Sequence, residues 1–135
     1  MTEAAKILIA DDEQDCIDFV REALADTPHE VLAAMDGEEA LKVAREQSPN
    51  VIILDVEMPK LNGFEVFAQL RADEKLSAVP VIMLTGIAER KGFKFSEREM
   101  GDYMGSEPEA YVDKPIEPVV LVLTINRLLK GGAGA

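Results

Sequence analysis

The sequence has a single cysteine, a deficit of basic residues and no long apolar run. Cys16 alone cannot form an intrachain disulfide, and its isolation favours a reducing compartment. With 14 lysines and arginines against 26 aspartates and glutamates, the net charge of −12 disfavours contact with nucleic acid. No stretch reaches the ~18–20 apolar residues of a membrane span, and the acidic start is unlike a signal peptide. We therefore expect a cytoplasmic protein that binds neither membranes nor nucleic acid directly.

The remaining composition is typical of one globular domain. Hydrophobic residues make up 47% of the 135 residues and charged residues 30%, which is ordinary for a packed domain. The ending GGAGA has the composition of a flexible linker. We predict a domain over residues 1–130 and a flexible Gly-rich tail or linker over residues 131–135.

Short apolar runs alternate with stretches of helical periodicity along the chain. The runs that predict strands lie at residues 6–10, 31–35, 51–54, 81–84 and 110–112. This alternation predicts an α/β fold, a doubly wound (βα)5 five-stranded parallel sheet with helices on both faces. Right-handed crossovers place the C-terminal ends of all strands along one edge of the sheet, where ligands bind.

Two pairs of polar residues mark helix starts. Asp36 with Glu39, and Asn62 with Glu65, each fit a capping box, in which each side chain accepts a hydrogen bond from the other residue's backbone N–H. We expect His29, which has no partner motif, to lie in a solvated loop.

The last predicted helix, over residues 117–130, has two apolar faces. Leu121, Ile125 and Leu128 share the face that should pack on the sheet. Val119 and Leu123 lie on the opposite side. This surplus apolar surface favours a contact with another helix, with a partner protein or with a second copy in a homodimer.

Polar residues follow four of the five predicted strands. Asp11 and Asp12 follow the first strand, Asp55 the third, Thr85 the fourth and Lys114 the fifth. Three carboxylates at one edge repel one another and need either a raised pKa or a bound cation. Oxygen ligands without a nearby His or Cys favour Mg²⁺ over Zn²⁺.

The same edge suits a phosphoryl group. Mg²⁺ commonly binds a phosphoryl oxygen, and the Lys114 ammonium and Thr85 hydroxyl can contact two more. Asp55 can act as a carboxylate nucleophile towards phosphorus. Catalysis would then consist mainly of positioning and charge neutralisation.

Four ordered motifs connect these residues to a known family. I-A-D-D-E (9–13), L-D-V-E-M-P (54–59) with Gly63, L-T-G (84–86) and Y-V-D-K-P (111–115) resemble the receiver domain of bacterial two-component response regulators. The resemblance covers most of the chain and implies a CheY-like, flavodoxin-like fold.

The resemblance implies a metal site and a phosphoacceptor. Asp55 matches the residue that accepts the phosphoryl group. Asp12 matches the direct Mg²⁺ ligand, Asp11 the acid that reaches the metal through water, and the backbone carbonyl of Glu57 a further ligand. Lys114 matches the lysine that contacts the phosphoryl group.

The resemblance also implies a conformational switch. Thr85 matches the hydroxyl residue that moves towards the phosphoryl group, and Tyr111 matches the aromatic residue that turns inward behind it. Gly86 matches a small residue that leaves room for the phosphoryl group. Lys114 is usually joined to Pro115 by a cis peptide bond in the family.

The implied function is signal transduction in a phosphorelay. A sensor histidine kinase or phosphotransfer protein would donate the phosphoryl group with Mg²⁺ as cofactor. The conformational change would act on a downstream target through the face formed by the fourth helix, fifth strand and fifth helix. The protein would not be an enzyme beyond its own phosphoryl transfer and autodephosphorylation.

The interval between Thr85 and Lys114 is longer than in a typical receiver. Ser96 and Glu99 fit a capping box, which predicts a rebuilt fourth helix beginning near Glu97 after a long loop. The conformation of the enlarged region from Gly86 to Ala110 is not predictable from the sequence, and neither are the cognate kinase and the target.

Two alternatives remain open at the level of sequence. Asp55 and Glu57 loosely resemble the Asp-x-Asp pair of haloacid-dehalogenase-like phosphatases, which would make the protein a small phosphohydrolase. A degenerate receiver that binds partners without phosphorylation is the other alternative. Turnover of a phosphate ester would identify the first, and failure to accept a phosphoryl group the second.

Overall fold

The computed structural model of the protein describes residues 4–86 and 108–134, with side chains as far as Lys130. Its elements are β1 (Lys6–Ala10), α1 (Gln14–Ala23), β2 (Glu30–Ala34), α2 (Gly37–Gln47), β3 (Val51–Asp55), α3 (Gly63–Ala72), β4 (Val81–Thr85), β5 (Ala110–Asp113) and α4 (Pro118–Gly134). The predicted strands are confirmed to within one residue at each end. The last helix continues to Gly134, past its predicted end at residue 130. The predicted helix near Glu97 lies outside the described residues.

The five strands form one parallel sheet in the order β2-β1-β3-β4-β5. All residues of β3 and β4 are buried, which suits their β-branched and apolar sequences. The strand order reverses between β1 and β3, so the chain winds outward from there in both directions. The predicted doubly wound parallel sheet is confirmed.

Helices cover both faces of the sheet. Successive strand residues point to opposite faces, so Leu8 packs with α2 and α3, whereas Ile7 and Ile9 pack with α1 and α4. Phe67 of α3 is fully buried, and the inner face predicted for the last helix is confirmed, with Leu121 and Ile125 of α4 fully buried. The predicted apolar outer face of α4 is also present, because Val119 and Leu123 are 69% and 63% exposed.

One of the two capping boxes predicted within the described residues is complete. Asn62 Oδ1 accepts a hydrogen bond from the Glu65 N–H over 2.9 Å, and Glu65 Oε1 accepts from the Asn62 N–H over 3.0 Å. At α2, Asp36 caps the Glu39 N–H, but Glu39 Oε1 accepts from Met35, one residue earlier than predicted. Both arrangements satisfy backbone donors that have no partner within the helix.

The prediction that His29 is solvated is wrong. Its side chain is only 8% exposed, since Nδ1 accepts a hydrogen bond from the Ala5 N–H and Nε2 lies 3.2 Å from Asn126 Oδ1. His29 therefore joins the starts of β1 and β2 to α4. The polar partner on α4 lies far along the chain, so no local motif indicates it.

Glu109 secures the start of β5 next to β4. Glu109 Oε1 accepts a hydrogen bond from the Val81 N–H over 2.7 Å and pairs with Arg71 at the end of α3. Arg71 also donates to the Val79 carbonyl and lies over the Phe67 ring, 4.6 Å from its centroid. This group of residues fixes the point at which the chain enters the sheet after residue 107.

Candidate functional site

The structure brings the predicted site residues to the C-terminal edge of the sheet. Asp11 directly follows β1, Asp55 ends β3, Thr85 ends β4 and Lys114 directly follows β5. Asp11, Asp55 and Thr85 are buried, with exposed fractions of 0%, 3% and 7%. Asp12 is exposed and lies at the mouth of the site. Buried polar groups of this kind require specific partners.

Three carboxylates at this edge form a group that fits a cation. Asp11, Asp12 and Asp55 each offer an oxygen atom, and these atoms lie within 4.8 Å of one another. Asp11 Oδ1 also accepts a hydrogen bond from the Glu13 N–H over 2.9 Å, which fixes the carboxylate. Oxygen donors at this spacing suit a hard cation such as Mg²⁺. The Glu57 side chain is exposed and is not part of the carboxylate group, whereas the prediction concerns its backbone carbonyl.

Lys114 joins the two buried carboxylates. Its Nζ lies 3.0 Å from Asp11 Oδ2 and 3.1 Å from Asp55 Oδ1, with Glu13 Oε1 at 3.7 Å. Burial acts to lower the pKa of the Lys114 ammonium, but the attraction of Asp55 and the hydrogen bond to Asp11 outweigh it and raise the pKa. Lys114 is therefore a fixed positive charge at neutral pH. The peptide bond to Pro115 is cis, as the resemblance implies.

Gly63 lets the loop after Asp55 pack tightly beneath the site. A Cβ atom at this position would lie only 2.4 Å from the Asp55 carbonyl oxygen. The Gly63 N–H donates to the Val56 carbonyl over 2.9 Å, and the Val56 N–H donates to the Leu84 carbonyl of β4. The start of α3 is thus in direct contact with the backbone that carries the Asp55 carboxylate.

Two residues at this edge were missed in the sequence. Glu13 lies near Lys114. The only indication of this in the sequence is that Glu13 follows two aspartates. Asp113 accepts a hydrogen bond from the Thr85 hydroxyl over 3.0 Å. The only indication of Asp113 in the sequence is an acidic residue between Tyr111 and Lys114. Because successive side chains of a strand point to opposite faces, this acid must lie on one face of β5.

Tyr111 and Cys16 pack close to the site from opposite faces of the sheet. Tyr111 is half-buried against the core beneath α2 and α3, whereas Cys16 packs on the α1 side. Burial and the neighbouring Asp11 carboxylate raise the pKa of the Cys16 thiol to about 12, so it stays protonated at neutral pH. Cys16 is therefore a packing residue on the α1 side of the sheet, and a nucleophilic role is disfavoured.

The geometry matches one known family. The sequence model of the response regulator receiver domain matches residues 7–126. The chain belongs to this family. The receiver domain is 34% identical to the protein PilH of Pseudomonas aeruginosa, over 94% of this chain and 99% of PilH. Its fold superposes on the chemotaxis response regulator CheY4 of Vibrio cholerae with a TM-score of 0.78 at 32% identity, covering 93% of this chain and 99% of CheY4.

Longer regulators contain the same domain. The receiver domain is 37% identical to the probable transcriptional regulator ycf27 of Porphyridium aerugineum and 35% identical to the alkaline phosphatase synthesis transcriptional regulatory protein PhoP of Bacillus subtilis. In both cases 93% of this chain matches, and it spans about half the length of the relative, 48%. The prediction of a response regulator receiver domain is confirmed.

Family membership also bears on the other predictions. Receiver domains act in phosphorelay signalling and are not enzymes in the ordinary sense, which disfavours the phosphohydrolase alternative. They interact with histidine kinases and output domains. Within the described residues, none of the helices has the length and apolar character needed to cross a membrane.

Proposed function

We propose that this receiver domain accepts a phosphoryl group on the Asp55 carboxylate and switches conformation as a result. The observation that carries the proposal is the Lys114 ammonium held 3.1 Å from Asp55 Oδ1 and 3.0 Å from Asp11 Oδ2. A fixed positive charge beside a buried carboxylate stabilises the negative charge that a transferred phosphoryl group brings. The position of Lys114 thus supports an anion-binding site at Asp55, and it differs from a simple ion pair on the protein surface.

Asp11, Asp12 and Asp55 would hold Mg²⁺, together with the backbone carbonyl of Glu57. The spacing of the three carboxylates supports this assignment, since Mg²⁺ takes oxygen ligands and often shares them with phosphate. When bound, the ion supplies positive charge to the phosphoryl oxygens. Asp11, fixed by the Glu13 N–H, keeps its other oxygen directed at Lys114.

The transfer itself is an in-line displacement at phosphorus. An oxygen of Asp55 forms the new P–O bond while the P–N bond of a phosphohistidine donor breaks, and its electron pair returns to the imidazole. Lys114 remains protonated throughout and neutralises charge on the phosphoryl oxygens. The donor is a sensor histidine kinase or a phosphotransfer protein in the cytoplasm. Loss of the phosphoryl group by autodephosphorylation resets the site.

The switch consists of Thr85 and Tyr111. Thr85 turns its hydroxyl towards the phosphoryl group on Asp55, and Tyr111 moves inward behind it. This movement changes the surface formed by the fourth predicted helix, by β5 and by the fifth predicted helix, which is α4 of the structure. Phosphorylation then shifts a population between two conformations. A downstream target binds this surface, and the exposed Val119 and Leu123 supply apolar area for the target or for a homodimer.

The test is the intact mass of the protein after exposure to acetyl phosphate. We expect one phosphoryl adduct that requires Mg²⁺ and is absent from Asp55→Asn. If neither an adduct nor binding of beryllofluoride were observed, the degenerate receiver would become the better description.

Light scattering over a range of protein concentrations, with and without beryllofluoride, tests the homodimer. A monomer at every concentration would exclude the homodimer.

A further inference from the structure

Thr85 is tied to β5 by both its side chain and its backbone. Thr85 and Asp113 are register partners at the ends of β4 and β5, and Thr85 Oγ1 donates a hydrogen bond to Asp113 Oδ1 over 3.0 Å. The Lys114 N–H donates to the Thr85 carbonyl over 2.8 Å. Because Thr85 is only 7% exposed, water competes weakly for its hydroxyl.

The acceptor on β5 and the phosphoacceptor lie on opposite sides of Thr85. In the sheet, β4 lies between β3, which carries Asp55, and β5, which carries Asp113. A threonine hydroxyl has one hydrogen to donate. While that hydrogen is donated to Asp113, it cannot be donated to a phosphoryl oxygen on Asp55.

We propose that Asp113 is a positioning residue that holds the Thr85 hydroxyl on the β5 side and so opposes the phosphorylated conformation. The inference rests on the proposed function, in which the same hydroxyl must reach the phosphoryl group. A carboxylate is a stronger hydrogen-bond acceptor than a neutral oxygen. Asp113 therefore competes with the phosphoryl group for the Thr85 hydroxyl even though Asp113 is exposed. Asp113 therefore sets how much phosphorylation is needed to populate the activated form.

The experiment measures the dissociation constant for beryllofluoride in the presence of Mg²⁺, by calorimetry on the full chain. We expect Asp113→Ala to bind about 3–10-fold more tightly than the wild type, since one such hydrogen bond changes an equilibrium by about that factor. Asp113→Asn keeps an acceptor oxygen and should lie between the two. In a Thr85→Val background, Asp113→Ala should have no effect, because there is no hydroxyl to release. Circular dichroism checks that each variant is folded.

The combination of variants separates the hydrogen bond from the charge of Asp113. If Asp113→Ala lowered the dissociation constant for beryllofluoride equally in the wild type and in Thr85→Val, the effect would come from the charge of Asp113 alone. This result would overturn the inference. Unchanged affinity in the Thr85 background would also overturn it, while leaving the proposed function intact. If the wild type binds beryllofluoride no better than Asp55→Asn, the proposed function fails and the inference fails with it.

Discussion

The pairing of Lys114 with two buried carboxylates predicts a large and metal-dependent loss of stability in Lys114→Met. At 3.0 and 3.1 Å from Asp11 and Asp55, the ammonium has a gross attraction of about 5 kcal/mol to each at an effective dielectric constant of about 20. Without it, the carboxylates are left buried within 4.8 Å of each other. Removal of one partner of a buried pair typically costs ~3–5 kcal/mol. We expect about 3 kcal/mol, since the Lys114 side chain is 22% exposed.

Urea denaturation in EDTA and in millimolar Mg²⁺ measures this effect. Mg²⁺ should stabilise Lys114→Met more than the wild type, because it neutralises carboxylates that have lost their counter-charge. Lys60→Met is the matched control, since Lys60 is 58% exposed and lies 3.7 Å from Asp36 and 3.6 Å from Glu38. Exposed pairs of this kind contribute at most about 1 kcal/mol. Equal stability of Lys114→Met and the wild type in EDTA, or a loss that Mg²⁺ does not reduce, would refute the reasoning.

Three further predictions follow from the geometry. Gly63→Ala places a Cβ 2.4 Å from the Asp55 carbonyl oxygen, so we expect the free energy of unfolding to fall by about 1–3 kcal/mol. Calorimetry should also show weaker binding of beryllofluoride. Unaltered binding would contradict a role for this close contact in the site. Glu109→Ala removes the acceptor of Arg71 and of a β4 backbone N–H, which should lower stability to urea by about 1–2 kcal/mol, whereas an unchanged midpoint would contradict this. The raised pKa of Cys16, about 12, means that the folded state keeps a proton that the unfolded chain loses above pH ~8.5. Stability should therefore fall between that pH and about 12, and less so in Cys16→Ala; identical pH profiles would disprove the assignment.

The sheet and the main site residues could be predicted because they depend on local pattern. Each strand is a short apolar run, and Asp11, Asp55, Thr85 and Lys114 each stand at the end of one. The parallel topology then brings these ends together irrespective of the loops between them. The sequence therefore predicted which residues meet at the edge of the sheet.

The contacts that could not be predicted join side chains that are far apart in sequence. His29 meets Asn126, Glu109 meets Arg71, and the Thr85 hydroxyl meets Asp113. Each depends on the register of two strands or on the angle at which a helix packs, which the periodicity of a single segment does not determine. Glu109 lies outside the motifs, and Asp113 lies inside Y-V-D-K-P without an assigned role, so neither acid was singled out from the sequence.

The attachments of β4 and β5 have a consequence for chain length. β4 ends at the edge of the sheet that carries the site, and β5, being parallel, begins at the opposite edge. The intervening connection is anchored at one end by the Thr85 carbonyl and at the other by Glu109. Doubling the length of a connection costs only about 0.6 kcal/mol in closure entropy when its ends are held in this way. A change in the length of this connection should therefore cost little in the pairing of β4 with β5 and leave the acidic site in place.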